Sequence, residues 1–201
     1  MVFSFFRRRP EQATRDLYAA IVAQARQPQF YTNFDVPDTI DGRFDLISLH
    51  AMLVFTRLRG EGYAGKTRSQ AVFDLFFVDM DHALRELGAS DTSVPRKVKR
   101  MAELFYGASQ SYMSALEEDD AAAAEGKPRG ELALALQRNI YAGREDAAPL
   151  GAALATYMTA LRDHLAEQDG AGIIAGKVAW IDPAAFVPAS QDMNEGTTDH
   201  G

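Results

Sequence analysis

Val72, Phe73, Phe76, Phe77, Met80, Ala83, Leu84 and Leu87 fall within an arc of about 140° when the chain is wound at helical pitch. One neighbour cannot cover a stripe that wide. The spacing therefore predicts a helix over Thr67–Leu87 that sits centrally and touches several others. Asp74, Asp81 and Arg85 share its opposite side, with Asp81 one turn before Arg85, at pairing distance. Leu75 and Val78 also lie outside the apolar arc. On a side otherwise solvated, they call for cover by a further helix or by a partner.

The rest of the chain reads as helices too. Strand-like alternation is nowhere sustained. A first helix is expected over Glu11–Gln27, stopping before Pro28. A connector, Pro28–Ile40, carries Phe30, Tyr31 and Phe34 and leads through an Asp41-Gly42 turn into a helix over Asp41–Arg59. After the stripe helix, Gly88 is the expected C-cap. The next helix starts near Ser93 or Val94, with Pro95 tolerated in its first turn, and runs to Leu116. EEDDAAAAEGKPRG is expected to be a surface loop or frayed end. Helices over Glu131–Tyr141 and Leu150–Gln168 follow, and Ile173–Trp180 packs back onto the body. The fold class is all-α: a single irregular bundle of about six helices with flexible termini. Residues 11–180 form the helical domain, 1–10 a basic and aromatic arm, and 183–201 a disordered tail.

Composition removes several function classes. The 201 residues include no cysteine, so disulfide and thiolate chemistry are excluded. No apolar run reaches the roughly 20 residues that cross a bilayer. The start, MVFSFFRRRP, places its arginines after the apolar residues and is not a signal peptide. With Phe3, Phe5, Phe6 and the three arginines it fits a weak membrane toe or a disordered start. The net charge of −7 is unevenly spread: residues 1–100 hold 15 Lys/Arg against 12 Asp/Glu, and residues 101–201 hold 6 against 16. Only the first half, at +3, is suited to approach an anionic surface.

Motifs for small-molecule chemistry are weak. GEGYAGKT, Gly60–Thr67, matches the letters of a phosphate loop, but it follows a helix and no partner acid on a buried strand accompanies it; a flexible glycine hinge is expected. Asp79-x-x-His82 resembles half of a dimetal carboxylate site whose other half is missing. That half-site leaves a carboxylate- and histidine-dependent metal enzyme as an alternative reading. His50 is expected on a helix face without chemistry. Arg96, Lys97, Lys99 and Arg100 crowd a helix start, where the macrodipole disfavours cations; they form a candidate patch for an acidic macromolecule or lipid headgroups. No zinc-finger or RNA-binding signature accompanies them, so sequence-specific nucleic-acid recognition is excluded, and a general ribosome- or RNA-binding adaptor is the other alternative.

The segments ARQPQFY (Ala25–Tyr31), VPDTIDGRFDLISLH (Val36–His50), QAVFDLFFVDMDHALRELG (Gln70–Gly88), VKRMAELFYG (Val98–Gly107) and ALQRNIY (Ala135–Tyr141) together resemble the ubiquinol–cytochrome c chaperone family, assembly factors for cytochrome b of the respiratory bc1 complex. The resemblance implies a helical, non-enzymatic chaperone with no cofactor of its own, the haems belonging to the client. It implies newly made cytochrome b as client, contact with the ribosome or an anionic membrane surface, and a cytoplasmic protein peripheral to the inner membrane. A partner subunit is left open. On this basis Phe30, Tyr31, Phe34, Leu75 and Val78 are expected to edge a client groove. Arg43, Asp74, Asp79 and Asp81 would orient the client's polar loops, and Arg96, Lys97, Lys99 and Arg100 would form a second contact region.

Overall fold

The computed structural model describes residues 11–186. In order they form α1 (Gln12–Ala25), α2 (Gln29–Thr32), α3 (Ile40–Leu58), α4 (Gly62–Glu86), α5 (Val94–Ala124), α6 (Glu131–Ile140), α7 (Ala148–Ala166) and α8 (Gly170–Ile174), with 3-10 turns at Arg59–Glu61, Glu145–Ala147 and Pro183–Phe186. No strand occurs among the described residues. α2 and α8 are single turns, so the body is the expected all-α bundle of six substantial helices. No helix of the described chain is long and apolar enough to cross a membrane.

The centre of the bundle is α3, not the stripe helix. α3 packs against α1, α4, α5 and α7, and its run from Leu46 to Val54 is buried at every position. The sequence LISLHAMLV is apolar nearly all round, which suits a helix with neighbours on all sides. α4 touches α1, α3, α5 and α8, so the wide stripe does meet several helices. Its cover thins toward the C-terminal end, however. Val72, Phe76 and Phe77 are buried, Phe73, Met80, Ala83 and Leu84 are half-buried, and Leu87 is 62% exposed.

Two corners are tighter than their composition suggests. Thr39 caps α3, its Oγ1 accepting the Gly42 N–H at 3.1 Å, so Asp41-Gly42 lies inside the first helical turn and not before it. The Arg59–Glu61 turn then runs straight into α4, which starts at Gly62 where Thr67 was expected. Gly65 lies against the end of α3; a Cβ there would stand 2.0 Å from the Leu58 carbonyl oxygen. GEGYAGKT is thus a packed corner continuing into helix, neither a hinge nor a phosphate loop.

Of the segment after Leu116, expected as a surface loop or frayed helix end, the first part is helical: α5 continues through Glu117–Ala124, and the rest turns toward α6. Four alanines supply the highest helix propensity available. Asp119 turns inward and accepts the N–H groups of Gly130 at 2.7 Å, Glu131 at 2.9 Å and Leu132 at 3.1 Å, thereby capping α6. Arg57 makes the corresponding tie at the far end of α7. It donates to the carbonyls of Leu165 at 3.1 Å and Gln168 at 2.7 Å and pairs with Glu61 at 2.7 Å.

After α8 the chain crosses back over the body as a strap. The Gln168 side chain exchanges two hydrogen bonds with the backbone of Ala179, and Gln24 donates to Ile181 O at 2.9 Å. Pro183–Phe186, expected to begin a disordered tail, instead form a turn with Pro183 buried and the Phe186 ring 5.7 Å from Tyr157. The arm over residues 1–10 and the remainder of the tail lie outside the described residues.

Candidate interaction surface

The nine residues expected to meet a client separate into four places. Phe30 and Phe34 are core. Each is 0% exposed, and the Phe30 ring lies 5.7 Å from Phe34, 5.3 Å from His50 and 5.2 Å from Tyr157. They cannot edge a groove; a connector this short must fill the space between α1, α3 and α7 with its own aromatics. Tyr31 and Arg43 belong to the corner between α2 and α3. The Tyr31 hydroxyl donates to Ala25 O at 3.2 Å, and Arg43 pairs with Asp38 at 2.7 Å in solvent.

Asp79 points to α1, where it accepts from the Tyr18 hydroxyl; burial, then the Asp79 charge, raise the Tyr18 pKa. Leu75 also turns inward and packs on the core. Asp74, Val78 and Asp81 remain on the open side of α4. Asp74 accepts from Gln70 at 2.6 Å, and partial burial raises its pKa. Asp81 accepts from Arg85 at 2.5 Å, and this bond lowers its pKa. Arg85 also reaches Asp91 in the turn before α5. Both aspartates are partly exposed, as their helical phase requires.

Tyr106 of α5 completes this face. It is 58% exposed, and its ring lies 5.4 Å from Phe73 of α4. Burial against α4, then the charge of Asp74, push its pKa up. The surface is therefore an exposed aromatic edge beside two carboxylates on adjacent helices. Tyr106 was hidden in the sequence because its own helix buries Met101, Phe105 and Tyr112. Helical phase turns it about 100° from buried Phe105, toward α4.

The basic residues Arg96, Lys97, Lys99 and Arg100 are all exposed in the first turns of α5. Lys99 and Arg100 share Glu103, at 3.8 and 3.7 Å. Arg96 and Lys97 have no ion-pair partner among the described residues. What stays open of the expected client region, Asp74, Val78 and Asp81, thus lies with the basic residues on the α4–α5 hairpin, whereas Phe30, Tyr31, Phe34 and Arg43 do not.

The metal alternative finds no geometry. Asp79 faces Tyr18, His82 is exposed, and no three His, Asp or Glu side chains converge among the described residues. The helix face that carries His50 is turned into the core. The ring is fully buried, its Nδ1–H donating to Leu46 O at 2.7 Å and its Nε2 accepting from the Tyr157 hydroxyl at 2.8 Å. Gln24 donates to that same hydroxyl oxygen at 3.0 Å. Burial lowers the His50 pKa to about 4, so the neutral ring sits at the end of a one-directional chain of donors.

A model described as "Ubiquinol-cytochrome C chaperone" matches residues 32–180. The chain is 24% identical over 165 residues to ubiquinol-cytochrome-c reductase complex assembly factor 1 of Xenopus laevis, covering 82% of this chain and 78% of that one. It is 24% identical to the protein of the same name from Mus musculus, covering 82% of this chain and about half, 53%, of that one. The crystal structure of the Cbp3 homolog from Brucella abortus superposes with a TM-score of 0.72 at 39% identity, covering 87% of this chain and 92% of the other. With three quarters of its length matched by one model and this fold shared at 39% identity, the chain belongs to the ubiquinol–cytochrome c chaperone family.

Proposed function

We propose that this protein is a non-enzymatic assembly chaperone of the ubiquinol–cytochrome c reductase complex, and that it holds newly made cytochrome b on the open face of the α4–α5 hairpin. The observation that carries the reading is the family match over residues 32–180, which contains that hairpin entirely. The chemistry of the face supports the client. Cytoplasmic loops of membrane proteins carry an excess of Lys and Arg; Asp74 and Asp81 offer carboxylates to such loops, while Tyr106 and Val78 offer apolar contact beside them. Aromatic anchors flanked by charge are frequent centres of binding energy. The protein acts at the cytoplasmic side of the inner membrane as a peripheral protein, where unassembled cytochrome b presents those loops.

Crosslinking in the host tests this. The unaltered protein is expected to capture apocytochrome b. Asp74→Lys with Asp81→Lys is expected to cut that capture at least fivefold, and Tyr106→Ala to cut it by a similar factor, with the melting temperature unchanged. Capture that persists in both variants would show that the client sits elsewhere. A melting temperature that falls along with capture would make these side chains structural.

A further inference from the structure

The charge pattern along α5 runs against its own helix. The N-terminal two turns carry Arg96, Lys97, Lys99 and Arg100 and no acid, whereas the last two carry Glu118, Asp119 and Asp120 and no cation. The macrodipole favours the reverse at both ends. Asp119 is accounted for as the cap of α6; the cations have no corresponding task inside the fold.

The cations stand where the body of the protein ends. From Val78 to Ser93 not one side chain is buried, and Val94 pins the start of α5. The apolar stripe of α4 nevertheless continues through this part and ends at Leu87, 62% exposed. Acids nearby cancel the patch only in part: Asp81 and Asp91 both turn to Arg85, and the single Glu103 is shared at long range by Lys99 and Arg100, at 3.8 and 3.7 Å, which leaves Arg96 and Lys97 without an ion pair among the described residues. Residues 82–100 hold five Lys/Arg against two Asp/Glu, a balance of +3 in a chain of net charge −7. The result is a hairpin end that rests on the core through Met80, Leu84, Val94 and Val98 and leaves outward an exposed leucine and four cations, on a molecule whose remaining residues sum to an acidic charge.

We infer that the end of this hairpin docks on an anionic lipid bilayer surface, the basic residues meeting headgroup phosphates and Leu87 entering the interface. Charge complementarity selects the partner: a neutral bilayer offers these cations nothing, and an acidic protein is turned by its local positive end toward a negative surface. Leucine favours lipid over RNA. No Phe, Tyr or Trp occurs from Val78 to Leu104, so the hairpin end lacks the stacking platform on which single-stranded RNA is held. Each cation near an anionic membrane contributes roughly fivefold to partitioning, so the attachment is reversible and falls with salt. The inference rests on the peripheral-membrane part of the proposed function and names the surface that would serve it; the client contact uses the open face and not the hairpin end.

Sedimentation of the full chain with vesicles tests it. Binding is expected to vesicles of phosphatidylcholine with phosphatidylglycerol, to be weak on pure phosphatidylcholine, and to be lost at high salt. Replacing all four cations (Arg96→Glu, Lys97→Glu, Lys99→Glu, Arg100→Glu) is expected to lower partitioning at least tenfold, while the melting temperature holds or rises because acids suit this helix end. Leu87→Ser is expected to lower partitioning severalfold without altering stability. Equal binding of the charge-reversed chain and the unaltered one would overturn the proposal, as would equal binding to neutral and anionic vesicles. So would salt-sensitive binding of an RNA oligonucleotide by a chain that ignores vesicles. Capture of cytochrome b by the charge-reversed chain in detergent extract separates a failure here from a failure of the client reading.

Discussion

His50 and Asp45 show how single buried groups set the response to pH. His50 ends a chain in which Gln24 donates to Tyr157, Tyr157 to His50, and His50 to Leu46. Protonating the ring would leave two donors facing each other at Tyr157. Its folded pKa, about 4, lies below the ordinary value, so its contribution is complete above pH 6.5 and is lost as pH falls through about 4. Asp45 is the opposite case. Burial between helices, then the Asp41 charge, raise its carboxyl to about 7, so the fold favours the protonated form and loses stability as pH rises from about 4 to 7. The two slopes partly cancel. In melting experiments between pH 4 and 8, His50→Gln is expected to expose the Asp45 slope, with stability falling as pH rises. Asp45→Asn should expose the His50 slope and add about 1 kcal/mol at pH 8, discounted for partial solvent access. Parallel pH profiles for the two variants would refute this pairing. Neither role was legible in the sequence: His50 read only as a helix-face residue without chemistry, because its partner, Tyr157, lies 107 positions away.

Among the elements, helix interiors were legible and corners were not. The stripe of α4 followed from spacing alone, because hydrophobic phase is a local property. The start of α4 did not, since three glycines within six residues ordinarily signal a loop. Here Gly65 is selected by the Leu58 carbonyl pressed against it, a contact that only the folded corner creates. Gly65→Ala is therefore expected to cost about 2 kcal/mol or more by forcing that corner open. Gly60→Ala, whose added methyl would meet only the Arg57 guanidinium at 3.9 Å, should lie within about 0.5 kcal/mol of the parent. Chemical denaturation of the two variants checks the difference, and equal costs would contradict the packed corner. The alanine segment misled in the opposite direction. Its acids suggested solvent, but one of them, Asp119, serves α6 from eleven residues away.

For the whole molecule, the all-α class and the family were legible because helical phase and a long ordered set of segments survive without coordinates. The candidate surface was legible only in part. Asp74, Val78 and Asp81 are open as their phase required, whereas Phe30 and Phe34 were drawn into the core by Tyr157 and His50, contributed by α7 and α3. Aromatic residues in a connector look the same in sequence whether they plug a core or rim a groove. The packing has one continuous apolar cluster, reaching from Leu17 in α1 to Ile173 in α8. Heat unfolding is therefore expected to be a single transition, with helix loss by circular dichroism and the emission of Trp180, the one tryptophan of the chain, changing together. Emission that shifts well before the helices melt would mean the strap is a separate unit.

The clasp between Gln24 and Ile181 joins positions 157 apart. Nearly all of the described chain must be made before it can shut, and contacts so distant are slow to form. During synthesis, Tyr157 and Phe30 stay without the lid that Trp180, Ile181 and Phe186 supply until those residues leave the ribosomal tunnel. For that interval the protein is itself an unfinished chain with greasy rings in water, in need of the same shelter it is built to give.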